Sequence, residues 1–158
     1  MKKTLFAIAA SAALFACTST QLTPEQAAIQ KALNLELSYP AQVGSVNTLV
    51  LSEETTPLAG CPKEFSAAYK DYIASWKKFA AIEKSMYEQN YDKARADIDT
   101  FLKNFLSDPT NAIVTLKNEW PKYSADMDKA FAGIRQSFVE LTTIATKYGI
   151  ALPKKSLF

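Results

Sequence analysis

Apolar residues in the middle of the chain recur every three or four positions. From Pro62 to Gln89 they fall at Phe65, Tyr69, Tyr72, Trp76, Phe79 and Met86, a spacing that draws one stripe along a helix and lets it pack lengthwise on a partner. Glu83 alone interrupts the stripe. The stretch from about Ser124 to Tyr148 repeats the pattern with Met127, Phe131, Ile134, Phe138, Leu141, Ala145 and Tyr148, and Gly149 supplies a C-terminal stop. Two helices of about 25 residues, each about 38 Å long at 1.5 Å per residue, with matching seams, are expected to pack antiparallel.

Shorter elements fill the space between them. Asn90 is a natural break, and a helix is expected from Tyr91 or Asp92 to Leu106, with Ala94, Ile98, Phe101, Leu102 and Phe105 inward. Ser107-Asp108-Pro109 stops it and caps the next, Pro109 to Glu119, which carries Ile113, Val114 and Leu116, with Trp120 at its end, before Pro121 breaks the chain. The fold class is therefore all-α: an antiparallel helical bundle of three to four helices over residues 61–150, with residues 151–158 as a tail.

The bundle is expected to follow an irregular N-terminal segment, residues 17–60, made of a tether, a short helix and a connection. In LTPEQ, Thr23 is a good N-cap, Pro24 fits the first helical position and Gln26 completes a capping box. That helix should run from Pro24 to about Leu35, with Ala28, Ile29, Ala32 and Leu33 near one face, and end at Tyr39-Pro40. Residues 40–60 hold two of the four glycines and two of the seven prolines, which reads as a long irregular connection with one short extended segment near Leu49 to Leu51.

The N-terminus carries an address. Lys2 and Lys3 precede an apolar run, Thr4 to Ala16, shorter than the roughly 20 residues a membrane-spanning helix needs, as in an export signal. Its last residues, Leu14-Phe15-Ala16-Cys17, resemble the lipobox of bacterial lipoproteins. The resemblance implies removal of residues 1–16, a diacylglyceryl group with palmitate-type chains on Cys17, and near-permanent membrane attachment. Thr18 rather than an aspartate follows the cysteine, which in that family favours the outer membrane, facing the periplasm. The alternative is ordinary cleavage near Ala10-Ser11-Ala12, which would leave Cys17 able to form a disulfide with Cys61.

Loss of Lys2 and Lys3 with the signal would balance the 18 basic residues against the 16 acidic ones, so no electrostatic case exists for nucleic acid as a partner. The chain has no histidine. Histidine-dependent nucleophile pairs, histidine-ligated haem and the usual zinc and di-iron motifs are thereby excluded, and no side chain has an unperturbed pKa near neutrality. No enzyme activity, metal or cofactor is expected.

A few residues remain as candidates. Cys61 precedes Pro62 and Glu64 as an N-cap would, where a helix dipole favours a thiolate, although a small packed residue would look the same. Glu83 in the seam must pair, shift its pKa or reach water, and Arg95 and Arg135, the two arginines of the chain, are its candidate partners. Tyr69, Tyr72, Trp76, Tyr87 and Tyr91 could line a groove for an apolar ligand or partner helix, or simply form core. LTPEQ resembles the LTxxQ signature of small helical periplasmic stress chaperones related to Spy and CpxP. Asn90 to Leu102 resembles the second helix of a tetratricopeptide repeat, without a second copy. The terminal Phe158 resembles that of outer-membrane barrels, without alternating strands to match. The functional expectation is an outer-membrane-anchored periplasmic lipoprotein with a binding, scaffold or accessory role, attached through its lipid and joined by a protein partner. A helical periplasmic chaperone or stress protein is the alternative, and a thiol-dependent redox protein using Cys61 the third.

Overall fold

Six α-helices are present in the computed structural model, which describes residues 21–151. They are α1 (Pro24–Glu36), α2 (Val46–Glu54), α3 (Lys63–Gln89), α4 (Tyr91–Phe105), α5 (Pro109–Glu119) and α6 (Ser124–Lys147), with one 3-10 turn, Pro121–Tyr123, leading into α6. The signal, Cys17 and Phe158 lie outside the described residues. Among the described residues there is no strand, and no helix is long and apolar enough to cross a membrane.

The long helices form the axis of a helical bundle. α3 runs 27 residues and packs along α6, with α2 and α4 against its other sides and α5 on α4. The ring pairs fix the direction: Tyr72 meets Phe138 at 5.6 Å between centroids and Phe79 meets Phe131 at 4.6 Å, so rising numbers on α3 match falling numbers on α6. Ser137 donates its hydroxyl to Ser75 across the same seam at 3.2 Å. Every stripe residue read from α3, and those of α6 from Met127 to Ala145, are buried. Trp76 sits at the centre, edge-on to both Tyr72 and Phe105. Lys70, Lys77, Lys78 and Lys84 occupy the solvent face of α3.

The helix ends follow local chemistry. Thr23 and Gln26 form the capping box of α1, with the Thr23 amide donating to Gln26 Oε1 at 2.8 Å. Gln26 also donates from Nε2 to the carbonyl of Tyr148 at 2.8 Å, tying the start of α1 to the end of α6. At that end Gly149 takes a positive φ of 74°, its amide bonds Thr146 O, and the amide of buried Ile150 bonds Ala145 O. This is a Schellman stop, which needs the left-handed conformation that glycine adopts cheaply.

Two features differ from the sequence expectation. Residues 40–60 contain α2 where an irregular connection was expected, a sixth helix beside the five read from the sequence. Val46, Leu49 and Val50 of α2 join Ile29, Ala32 and Leu33 of α1 in the common core, so the N-terminal helices are part of the bundle rather than a segment ahead of it. α2 is hard to read because it is short and holds β-branched Val46, Thr48 and Val50, poor helix formers taken alone. Burial at helical spacing against α3 stabilises it instead.

Candidate functional site

A groove of about 960 Å³ lies between α2, α3 and α4. α2 contributes Asn47, Val50, Leu51 and Glu54 to it; α3 contributes Lys77, Ala80, Glu83, Lys84 and Tyr87; and α4 contributes Tyr91 and Arg95. Leu51 is 54% exposed and Tyr91 59% exposed, unusual values for large apolar residues so close together. Tyr87 and Tyr91 face each other at 5.3 Å between ring centroids. Lys77 pairs with Glu54 at 2.6 Å across the α2–α3 rim.

Glu83 lies at the floor of this groove, only 2% exposed. Its Oε1 accepts from the Val46 amide at 2.8 Å and its Oε2 from the Asn47 amide at 3.0 Å. These are orphan donors of the first turn of α2, where a negative charge is also favoured by the helix dipole. Ser45 caps the same turn locally, accepting from the Thr48 amide at 3.1 Å. The guanidinium partner sought in Arg95 or Arg135 thus gives way to a helix end: α3 caps α2 from a distance of 36 to 37 residues along the chain. Burial pushes the Glu83 pKa up, and the two amides oppose that shift.

The aromatic set divides. Tyr69, Tyr72 and Trp76 are fully buried, whereas Tyr87 and Tyr91 face the groove. Cys61 lies one residue outside the N-cap position, which Pro62 occupies, and makes no cap hydrogen bond to α3. Its thiol is half-buried, unbridged among the described residues, and pushed up in pKa by that burial, the reverse of an activated thiolate. In LTPEQ, both ends of the Gln26 amide are occupied by the structural contacts described above.

A second cluster has no counterpart in the sequence reading. Glu36, the last residue of α1, and Glu53, near the end of α2, are 0% and 1% exposed and lie together. Tyr69 donates its hydroxyl to Glu36 Oε2 at 2.9 Å, and Thr56 Oγ1 lies 3.1 Å from both Tyr69 and Tyr39 hydroxyls. Glu36 Oε1, both oxygens of Glu53, the Tyr72 hydroxyl and Trp76 Nε1 are buried without a well-formed hydrogen bond to other protein atoms. Burial pushes Glu36 up to about 7 against the pull of Tyr69 and Tyr72, and burial with the adjacent Glu36 pushes Glu53 higher still.

These glutamates were legible in principle. Ile29, Ala32, Leu33 and Glu36 fall at helical spacing, as do Val46, Leu49, Val50 and Glu53, so each acid occupies a seam position just as Glu83 does. Among the described residues no group of three or more histidine, cysteine, aspartate or glutamate side chains is arranged to hold a metal ion. No protein-family model, curated protein or solved structure matches the chain.

Proposed function

We propose that the protein is a lipid-anchored envelope protein, attached through Cys17, whose α2–α3–α4 groove receives a segment of a protein partner. The groove carries this reading, because it brings exposed Leu51 and Tyr91 together beside Lys84 and Arg95. Large exposed aromatic and aliphatic side chains edged by cations are the usual composition of a protein contact. The role is binding or scaffolding within the outer membrane's periplasmic face, with the lipobox resemblance as the support for the address. A chaperone asks for a broad apolar concavity, whereas Glu54, Lys77, Lys84 and Arg95 break this groove into small apolar areas.

Photo-crosslinking in intact envelopes tests the partner site. A crosslinking residue at Tyr91 should trap a discrete protein, and one at Val139, equally exposed on α6, should not. The same products from both positions would remove the groove from the argument. Palmitate labelling of the wild type beside Cys17→Ala tests the anchor, and equal label in both would remove it.

A further inference from the structure

We infer that Glu36 and Glu53 form a buried carboxyl pair that, with both groups protonated, latches the C-terminal end of α2 to α1, so that one wall of the groove is held by a titratable contact. The consequence for the groove rests on the reading above, but the latch itself stands on the geometry of the pair.

Two carboxyl groups buried against each other cannot both ionise, since each charge would face the other without water. Among the described residues neither has a lysine or arginine partner. Both sit in the last turns of their helices, at the negative ends of the dipoles, which disfavours a second negative charge there. Every element around the pair adds to this. α3 presents Tyr69 and Tyr72; the turn after α1 presents Tyr39, reaching the pair through Thr56; and α2 adds the charge of Glu54, whose own cation, Lys77, lies out on the rim. From α6 the ring of Phe138 packs on Tyr72. Glu36 Oε1 and both oxygens of Glu53, buried without another partner, leave each carboxyl proton an acceptor within the pair.

The direction of the pH effect follows. An acid whose pKa is raised by folding stabilises the closed state fully below its unfolded value, about 4.5, and that stabilisation is lost as pH rises through the folded value, which for Glu36 is about 7. The latch is therefore tight in acid and loosens through neutrality, when the pair passes from two protons to one and holds a buried charge. Glu83 holds the other end of α2 through two backbone amides, so the expected motion is a hinge about the N-terminal end of α2.

Hydrogen exchange on the full mature chain reads this directly. After correction for intrinsic rates, protection of the α2 amides relative to those of α6 should fall at least about tenfold between pH 5.5 and 8.5, because each pH unit inside the shifted window is worth up to tenfold per proton. Glu36→Gln should lose only part of that fall, because burial still raises Glu53, whereas the double variant Glu36→Gln/Glu53→Gln, which fixes two neutral side chains, should keep its α2 protection level across that range. A flat wild type, or a double variant that follows the wild type, overturns the inference. Should the variant fold poorly, carboxyl carbon NMR of the wild type decides: one glutamate must titrate near neutrality, and titration of every glutamate below about pH 5, their ordinary range, overturns it. None of these measurements needs a partner, so loss of the latch and loss of the groove reading are separate results.

Discussion

Removing the Glu83 carboxylate should unfasten α2 before anything else. Its two charge-assisted hydrogen bonds to Val46 N and Asn47 N are worth about 1.5 kcal/mol each at the low end of the usual range, a gross loss of about 3 kcal/mol. Burial already raises its pKa, so the carboxylate is desolvated at some cost. Glu83→Ala recovers about 1 kcal/mol of that, leaving a net destabilisation of about 2 kcal/mol. Glu83→Gln keeps one acceptor oxygen and should cost about half as much. The assay is urea unfolding at pH 7 beside the exposed control Glu88→Ala. With a slope of about 2 kcal/mol per molar, Glu83→Ala moves the midpoint down by about 1 M. Exchange at the α2 amides should accelerate about thirtyfold while the central turns of α3 stay protected. A midpoint within about 0.2 M of Glu88→Ala, well under one hydrogen bond's worth, would show that the distant cap contributes nothing and refute the account of why α2 folds.

Three further outcomes follow from named contacts. Gly149→Ala should cost about 1 to 2 kcal/mol, since φ is +74° there and a new Cβ would meet Gln26 Nε2 at 3.3 Å; a melting temperature unchanged from the wild type would contradict the Schellman geometry. Cys61 should react slowly with iodoacetamide at pH 7 and speed up only above its ordinary range, because burial raises its pKa; fast labelling at neutral pH would revive the redox reading. Lys93→Met, which removes a part-buried contact to Asp97 and an exposed one to Glu119, should cost less than about 1 kcal/mol, with the difference shrinking in high salt.

The bundle axis was legible because its code is redundant. Six aromatic or aliphatic residues on α3 and their counterparts on α6 repeat one spacing for the full length of both helices, and proline, asparagine or glycine marks nearly every end. α2 was not legible because what holds it is written elsewhere. Its N-terminus is capped by a residue of α3, its helical spacing spans only nine residues, and its branched side chains suit a strand as well. The seam glutamates show the same division. Glu83 stood out against a long clean stripe, whereas Glu36 and Glu53 ended stripes too short to reveal an interruption. The groove escaped sequence reading entirely, because Tyr91 and Leu51 become neighbours only when α2 and α4 flank α3.

The bond between Gln26 and Tyr148 ties the start of α1 to one end of the bundle. It places the entry of the chain at the pole where α6 ends, and Tyr148 lies there beside Glu64 at the start of α3. From Cys17 to Thr23 a fully extended chain reaches only about 20 Å at roughly 3.4 Å per residue. A lipid on Cys17 would therefore keep that pole within about 20 Å of the bilayer. Tyr87 stands 24 residues along α3 from Lys63, about 36 Å at 1.5 Å per residue. The groove would then open at the far end of the bundle, raised off the membrane like a fitting at the top of a short post.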